Sequence, residues 1–171
     1  MCAAPATQTS DADEQGLNDM ADFKPLRLIA EDAEDLTVIS AGIQDSVTKA
    51  ENLKYEARQR RFAIELNRFR WEEAIGSRKS APKSRVRSLL AIDSVLSVKT
   101  RGVTKSDPDM VYSLLSITFE PANEPPGGIV TLLFAGDGEL ALEVEALDVT
   151  LLDSDYEWAT RHTPSHERRK R

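Results

Sequence analysis

Cysteine is nearly missing from this chain, with Cys2 the single example in 171 residues. One thiol cannot form an intrachain disulfide, so the fold must rest on its apolar core, as suits a reducing compartment. Histidine is almost as scarce, since His162 and His166 are the only two. The residue type that most often serves as acid, base or metal ligand is therefore confined to one end of the chain. Long apolar runs are lacking as well: no stretch approaches the roughly 20 residues that cross a bilayer. The opening MCAAPATQTSDADEQ has no basic segment followed by an apolar one, so it is not read as a secretory leader. A soluble, cytoplasmic protein without membrane association is the expectation. No Walker-type loop and no G-x-G-x-x-G occurs, and PPGG and GDG are explained as turn glycines. No cofactor is implied.

Charge is plentiful but unevenly distributed. The net charge is −7, which argues against generic affinity for nucleic acid. Residues 1–48 carry −8, residues 49–105 carry +9, residues 106–160 carry −12 without a single basic side chain, and residues 161–171 carry +4. Such blocks mark tails, partners, or two parts of one sheet that neutralise each other.

Residues 1–24 have few large apolar side chains and read as a disordered tail. The domain is expected over residues 25–153, with a basic, frayed tail at 154–171. Leu26, Leu28 and Ala30 alternate and suggest a first strand. Leu36, Ile39, Ile43 and Val47 then fall on one helical face behind a candidate N-cap, Asp32, with Glu34 and Asp35 in the first turn. Gly42 inside this helix suggests close packing. From Leu53 the period is two: Leu53, Tyr55 and Ala57, then Phe62, Ile64 and Leu66, predict two strands joined through Arg58–Arg61. Beyond Leu66 the large apolar residues are Phe69 and Trp71, at the other parity. A β-bulge near Asn67 or Arg68 would return both rings to the core and send Arg68 and Arg70 outward.

Residues 76–85 read as a loop. Residues 86–98 are ambiguous between helix and strand, with two strands broken near Asp93 preferred and Leu96, Val98 and Thr100 sharing one parity. Ile129–Phe134 is apolar on both faces and belongs in the middle of a sheet. Asp137-Gly138 should close a hairpin, with the glycine supplying a positive φ. Leu140, Leu142 and Val144 differ in parity from Leu147, Val149 and Leu151, which a second bulge near Glu145 would reconcile. The predicted fold class is α+β. One early amphipathic helix covers a curved, mostly antiparallel sheet of about eight strands, and the bulges would let it curl into a partial barrel.

Candidate chemistry is sparse. His162 and His166 have i, i+4 spacing, but Pro164 between them argues against a helical metal site, so no metal is expected. Nothing around Cys2 would activate a thiol. Asp32, Glu34, Asp35 and Asp45 are explained by helix N-terminal electrostatics. The chain is therefore not read as an enzyme. The densest feature is RQRRFAIELNRFRWE, residues 58–72, whose five arginines Arg58, Arg60, Arg61, Arg68 and Arg70 form the candidate interaction surface. They could hold phosphates while Tyr55, Phe69 or Trp71 stacked on bases, with Lys79, Lys83, Arg85 and Arg87 extending the basic surface. Rings committed to the core cannot stack, however, and Glu139, Glu143 and Glu145 on the late strands are natural partners for the arginines. An internal charge match ranks first, an acidic protein partner second and nucleic acid third.

PLRLIAEDAEDLTVISAGIQDSV, RRFAIELNRFRWE, RVRSLLAIDSVLSVKTRGV and VTLLFAGDGELALEVE together resemble a small bacterial domain family of unknown function, found mainly in alphaproteobacteria. The resemblance covers roughly residues 25–153. It implies a cytoplasmic single-domain protein and carries no activity, cofactor or catalytic residue. The functional expectation is a non-catalytic binding or accessory module that acts by protein–protein contact. The alternatives are a nucleic-acid-binding protein using the Arg58–Arg70 hairpin, and a small-ligand binder or unrecognised enzyme.

Overall fold

Helical spacing and a cap fix the first helix. The structure, a computed structural model, describes residues 24–74 and 83–160. The predicted tail through residue 23, Cys2, His162, His166 and Lys79 lie outside those residues. A short strand, β1 (Arg27–Ala30), leads to α1 (Ala33–Ile43). Asp32 Oδ1 accepts the Asp35 N–H at 2.8 Å, and Glu34 and Asp35 occupy the first turn. Leu36, Ile39 and Ile43 are buried, each contributing about 1.5–3 kcal/mol relative to exposure. The helix ends at Ile43 rather than reaching Val47. Asp45 adopts a φ of 59°, which turns the chain and delivers Val47 into a strand.

Gly42 does not serve close packing as expected. A Cβ there would meet only Leu151 Cδ2, at an ordinary 3.9 Å. Gly42→Ala should therefore raise stability by up to about 1 kcal/mol. A higher urea midpoint is the expected readout; a lower one would show that the helix depends on the glycine.

The remaining elements are β2 (Ser46–Lys49), a 3-10 turn (Ala50–Asn52), β3 (Leu53–Glu56), β4 (Arg61–Phe69), α2 (Trp71–Ala74), β5 (Lys83–Ile92), β6 (Val95–Arg101), β7 (Val111–Pro121), β8 (Gly128–Phe134), β9 (Gly138–Val144) and β10 (Val149–Thr160). The break near Asp93 separates β5 from β6, which settles residues 86–98 as strand. Among the described residues ten strands, rather than about eight, form one antiparallel sheet in the order β1-β10-β5-β4-β2-β7-β8-β9-β6, with β3 also on β4. The sheet stays open, because β1 and β6 each have a single strand neighbour. α1 packs against β7, β1 and β4. Its buried side chains join Phe62, Ile64, Leu66, Leu90, Leu132 and Leu142 in one core.

Several register expectations are corrected. β4 runs without a bulge, pairing with β5 from Phe62↔Ile92 through Phe69↔Arg85. Arg68 therefore takes the next core-facing position after Leu66, and Phe69 lies on the opposite face. Trp71 is not a strand residue; it opens α2. The irregularities that do occur lie between Val95 and Ser97, Leu114 and Ser116, and Asp153 and Glu157. The first of these turns Leu96 outward, away from Val98 and Thr100, which pair with Leu142 and Leu140. No bulge occurs at Glu145: β9 stops at Val144, and β10 restarts near the other end of the sheet. β10 continues to Thr160, past the expected limit at 153. In the β8–β9 turn the positive φ values belong to Gly136 and Asp137, while Gly138 already starts β9.

Only Asp93 and Ser94 separate β5, third in the strand order, from β6, last in it. The three Cα steps from Ile92 to Val95 span at most about 11 Å, so the sheet must roll until these positions meet. The Tyr55 hydroxyl spans the resulting junction, donating to the Leu96 carbonyl at 3.2 Å.

Candidate functional site

The tip of the β3–β4 hairpin sits at that junction. The Val95 N–H donates to the Arg60 carbonyl at 2.8 Å, the Glu145 N–H to the Ser94 carbonyl at 3.0 Å, and the Asp93 N–H to the Asp148 carbonyl at 3.0 Å. Three connections thus meet at one corner. The Arg60 side chain reaches Glu145 at 2.7 Å, and Arg61 binds Asp93 through two nitrogens at 2.7 and 3.2 Å. These pairs are largely solvated and contribute roughly 0.2–1 kcal/mol each. Arg58 is exposed and makes no ion pair among the described residues.

Arg68 and Arg70 were expected to face water, and the structure places both inside. The Arg68 side chain is 0 % exposed, as is that of Asp153, which meets it through a bidentate pair at 2.8 and 2.6 Å. Glu72, four residues onward at the start of α2, accepts two further bonds from Arg68 at 3.0 and 2.7 Å. The Ser88 hydroxyl donates to Asp153 Oδ1 at 2.7 Å, and the Leu26 N–H to Oδ2 at 3.1 Å. Arg70 bonds Glu157 at 2.9 Å and approaches Glu72 at 3.6 Å. Burial disfavours the charged forms, but the hydrogen bonds outweigh it. Arg68 is held above its ordinary pKa, and Asp153 and Glu72 below theirs. The cluster is a largely internal clamp that ties β4, β5, β10, α2 and the chain before β1.

The arrangement accounts for the charge blocks. Acidic β10 lies beside basic β5, and acidic β9 beside β6, so charge segregated along the chain is interleaved in the sheet. Arg101–Glu139 at 2.6 Å is a further pair of this kind. Of the three glutamates expected to face the arginines, Glu145 meets Arg60, Glu139 meets Arg101, and Glu143 accepts the Ser97 hydroxyl at 3.0 Å. Phe69 is buried and contacts Trp71 edge-on at 4.7 Å, and Trp71 Nε1 donates to the Gln44 carbonyl at 3.2 Å.

The other half of the sheet carries a different surface. β8 has a strand on each side but lies two strands from the β6 edge rather than mid-sheet, and only one of its faces is covered: Val130, Leu132 and Phe134 are buried, while Ile129 and Leu133 are exposed. Ile129 stands between Glu120 of β7 and Glu143 of β9. A groove of about 600 Å³ lies over this region. Leu96, Ile129 and Ala141 line it, with Pro121 and Pro126 beside them; Glu120, Glu124, Glu143 and Glu145 supply carboxylates, and Lys99 supplies one amine. The exposed Leu96 and Ile129 were legible in the sequence as apolar positions. What the sequence withheld was that nothing in the chain's described residues covers them.

No three His, Cys, Asp or Glu side chains among the described residues gather as a metal site would require. No described helix is long and apolar enough to cross a membrane. Residues 26–166 match the family described as "Protein of unknown function (DUF2948)". The chain belongs to this family. The match begins one residue before β1 and runs beyond the end of β10. It therefore takes in both strands that carry the Arg68–Asp153 clamp, and every residue of the groove. None of the curated proteins and none of the solved structures matches the chain.

Proposed function

We propose that this family member is a cytoplasmic, non-catalytic binding module that works by protein–protein contact through the outer groove of β6, β8 and β9. The observation that carries the reading is the pairing of exposed Leu96 and Ile129 with Glu120, Glu124 and Glu143 in one concavity. A contiguous apolar surface rimmed by polar groups is the usual form of a contact site. Four carboxylates against the single Lys99 amine favour a partner segment that alternates cationic and apolar side chains. An acidic partner for the hairpin has less support, because Arg60, Arg61, Arg68 and Arg70 already have carboxylates within the chain. The hairpin route to nucleic acid weakens for the same reason.

An array of immobilised peptides, with lysine or arginine alternated against leucine or valine, tests the reading. The full-length protein should bind this class over glutamate-containing counterparts, and less well as salt is raised. Ile129→Arg should weaken binding at least tenfold, while Arg58→Glu should leave it unchanged. Equal binding by the Ile129→Arg protein, or a preference for the acidic peptides, would remove the groove as the contact site.

A further inference from the structure

We propose that a second surface, the outer face of β5 and β10, binds single-stranded nucleic acid, with a base stacked on Tyr156 and phosphates held by Arg85 and Arg87. This goes beyond the groove reading, since it concerns the opposite half of the sheet and the opposite charge.

The irregularity in β10 between Asp153 and Glu157 allows Tyr156 to stand outward. The ring is 59 % exposed, the most open large apolar side chain among the described residues. Trp158 lies 5.6 Å from it at a tilt of 46°. Trp158 is paired in register with Arg85, and the Arg87 guanidinium lies 5.4 Å from the Tyr156 centroid. Arg85 and Arg87 alternate on β5, so both project to this face, about 7 Å apart along the strand. Two aromatic rings and two guanidinium groups thus share one surface.

Neither guanidinium is committed to an ion pair in the way Arg68 is. Arg85 donates to the Asn67 carbonyl at 3.3 Å, and burial lowers its pKa with only partial compensation from Asp45. A half-buried cation without a bidentate carboxylate gains from an incoming phosphate. Arg87 also borders a groove of about 400 Å³, where β2 parts from β4, lined by Thr48, Asn52 and Asn67. The two amides can donate to and accept from base edges. Glu51 and Glu65 line the same groove, Asp45 acts on Arg85, and Asp155 precedes Tyr156 on β10, which limits binding to the ring and the two arginines. The sequence that follows β10, residues 161–171, carries five basic side chains and one acidic. β10 itself carries Asp153, Asp155 and Glu157 and no basic side chain, so this basic stretch begins only after the strand. Aromatic stacking with nearby cations is the general means of holding single strands without sequence preference.

Fluorescence anisotropy with labelled 15-mers of oligouridylate and oligodeoxythymidylate tests the proposal on the full chain. Binding is expected at about 50 mM salt, with a Kd between about 1 and 100 μM. Tyr156→Ala should weaken it about tenfold. Arg87→Glu should weaken it and flatten the salt slope by about 0.7, the value for one phosphate on a single strand. Both side chains are exposed, so thermal midpoints should match the parent protein and separate lost binding from lost folding. Three results would each overturn the assignment. The first is no anisotropy change at about 100 μM protein. The second is unchanged affinity in both variants, which would place binding in the basic tail alone. The third is equal affinity for polyglutamate, which has charge but no bases.

Discussion

Asp153→Asn is expected to destabilise the protein by about 3–5 kcal/mol, because it strands the buried Arg68 charge with only Glu72 for a partner. The magnitude follows from burial: Arg68 and Asp153 are both 0 % exposed, whereas Glu72 is 40 % exposed and can be replaced in part by water. Glu72→Gln should therefore cost clearly less. Replacing both ends of the buried pair, as Arg68→Met with Asp153→Leu, should recover much of the loss, since the charge to be solvated goes with its partner. Urea unfolding of the four proteins measures this. A loss below about 1 kcal/mol for Asp153→Asn would put the pair in the range of surface ion pairs and refute the clamp.

The same clamp sets a pH dependence. Burial raises the Asp153 and Glu72 carboxyls, but the Arg68 hydrogen bonds lower them further, leaving both below their ordinary values. A depressed carboxyl contributes stability that is complete above the unfolded pKa, near 4. That stability is lost as pH falls through the folded value. The parent protein should lose stability progressively below about pH 4.5, and Asp153→Asn should show a shallower slope in that window. Parallel slopes would mean that Asp153 does not titrate against Arg68.

Gly128→Val is the second large effect. Gly128 opens β8, opposite Pro121 on one side and Val144 on the other. Even a Cβ there would run into the Glu120 carbonyl and the Phe119 ring. The carbonyl belongs to the backbone of β7, so relief requires parting β7 from β8. A cost of about 3 kcal/mol is expected, at the upper end of overpacking. The groove should deform with it, since Gly128, Glu120 and Pro121 all line it. Gly136→Asn is the contrast. Gly136 has a φ of 79° with nothing within 4 Å of a built Cβ, and asparagine tolerates that region. An unchanged midpoint for Gly128→Val would show that β7 and β8 can separate without loss.

Much of the local structure was legible before the structure. α1 and its cap follow from apolar spacing behind Asp32, and the strands on either side of Asp93 follow from the recurring β-branched residues there. β3 and β4 follow from alternation at Leu53–Tyr55 and Phe62–Leu66. The failure at Arg68 is the instructive one. Strict alternation from Phe62 through Leu66 assigns position 68 to the core, but the large rings of Phe69 and Trp71, at the other parity, argue for a register change. A bulge would turn those rings inward and the guanidinium outward, whereas Asp153, 85 residues away, makes burial of the guanidinium tolerable. Asp153 stands at the very end of the predicted domain, and no local pattern there announces a carboxylate's distant partner. Glu72 lay within the suspect stretch at i, i+4 from Arg68, the one available signal.

Composition and periodicity were enough to establish an α+β chain with one early helix, antiparallel strands, a basic hairpin and oppositely charged blocks. Those are properties of neighbouring residues, set by backbone geometry and by which side of a strand or helix each side chain takes. Which strands lie side by side is a different matter. The placement of β5 and β6 at distant positions in the sheet, of acidic β10 against basic β5, and of Arg68 on Asp153 depended on the tertiary structure alone. Alternation fixes the face of a strand and leaves its neighbours undetermined. The pairing of charges is decided only when the whole sheet has assembled.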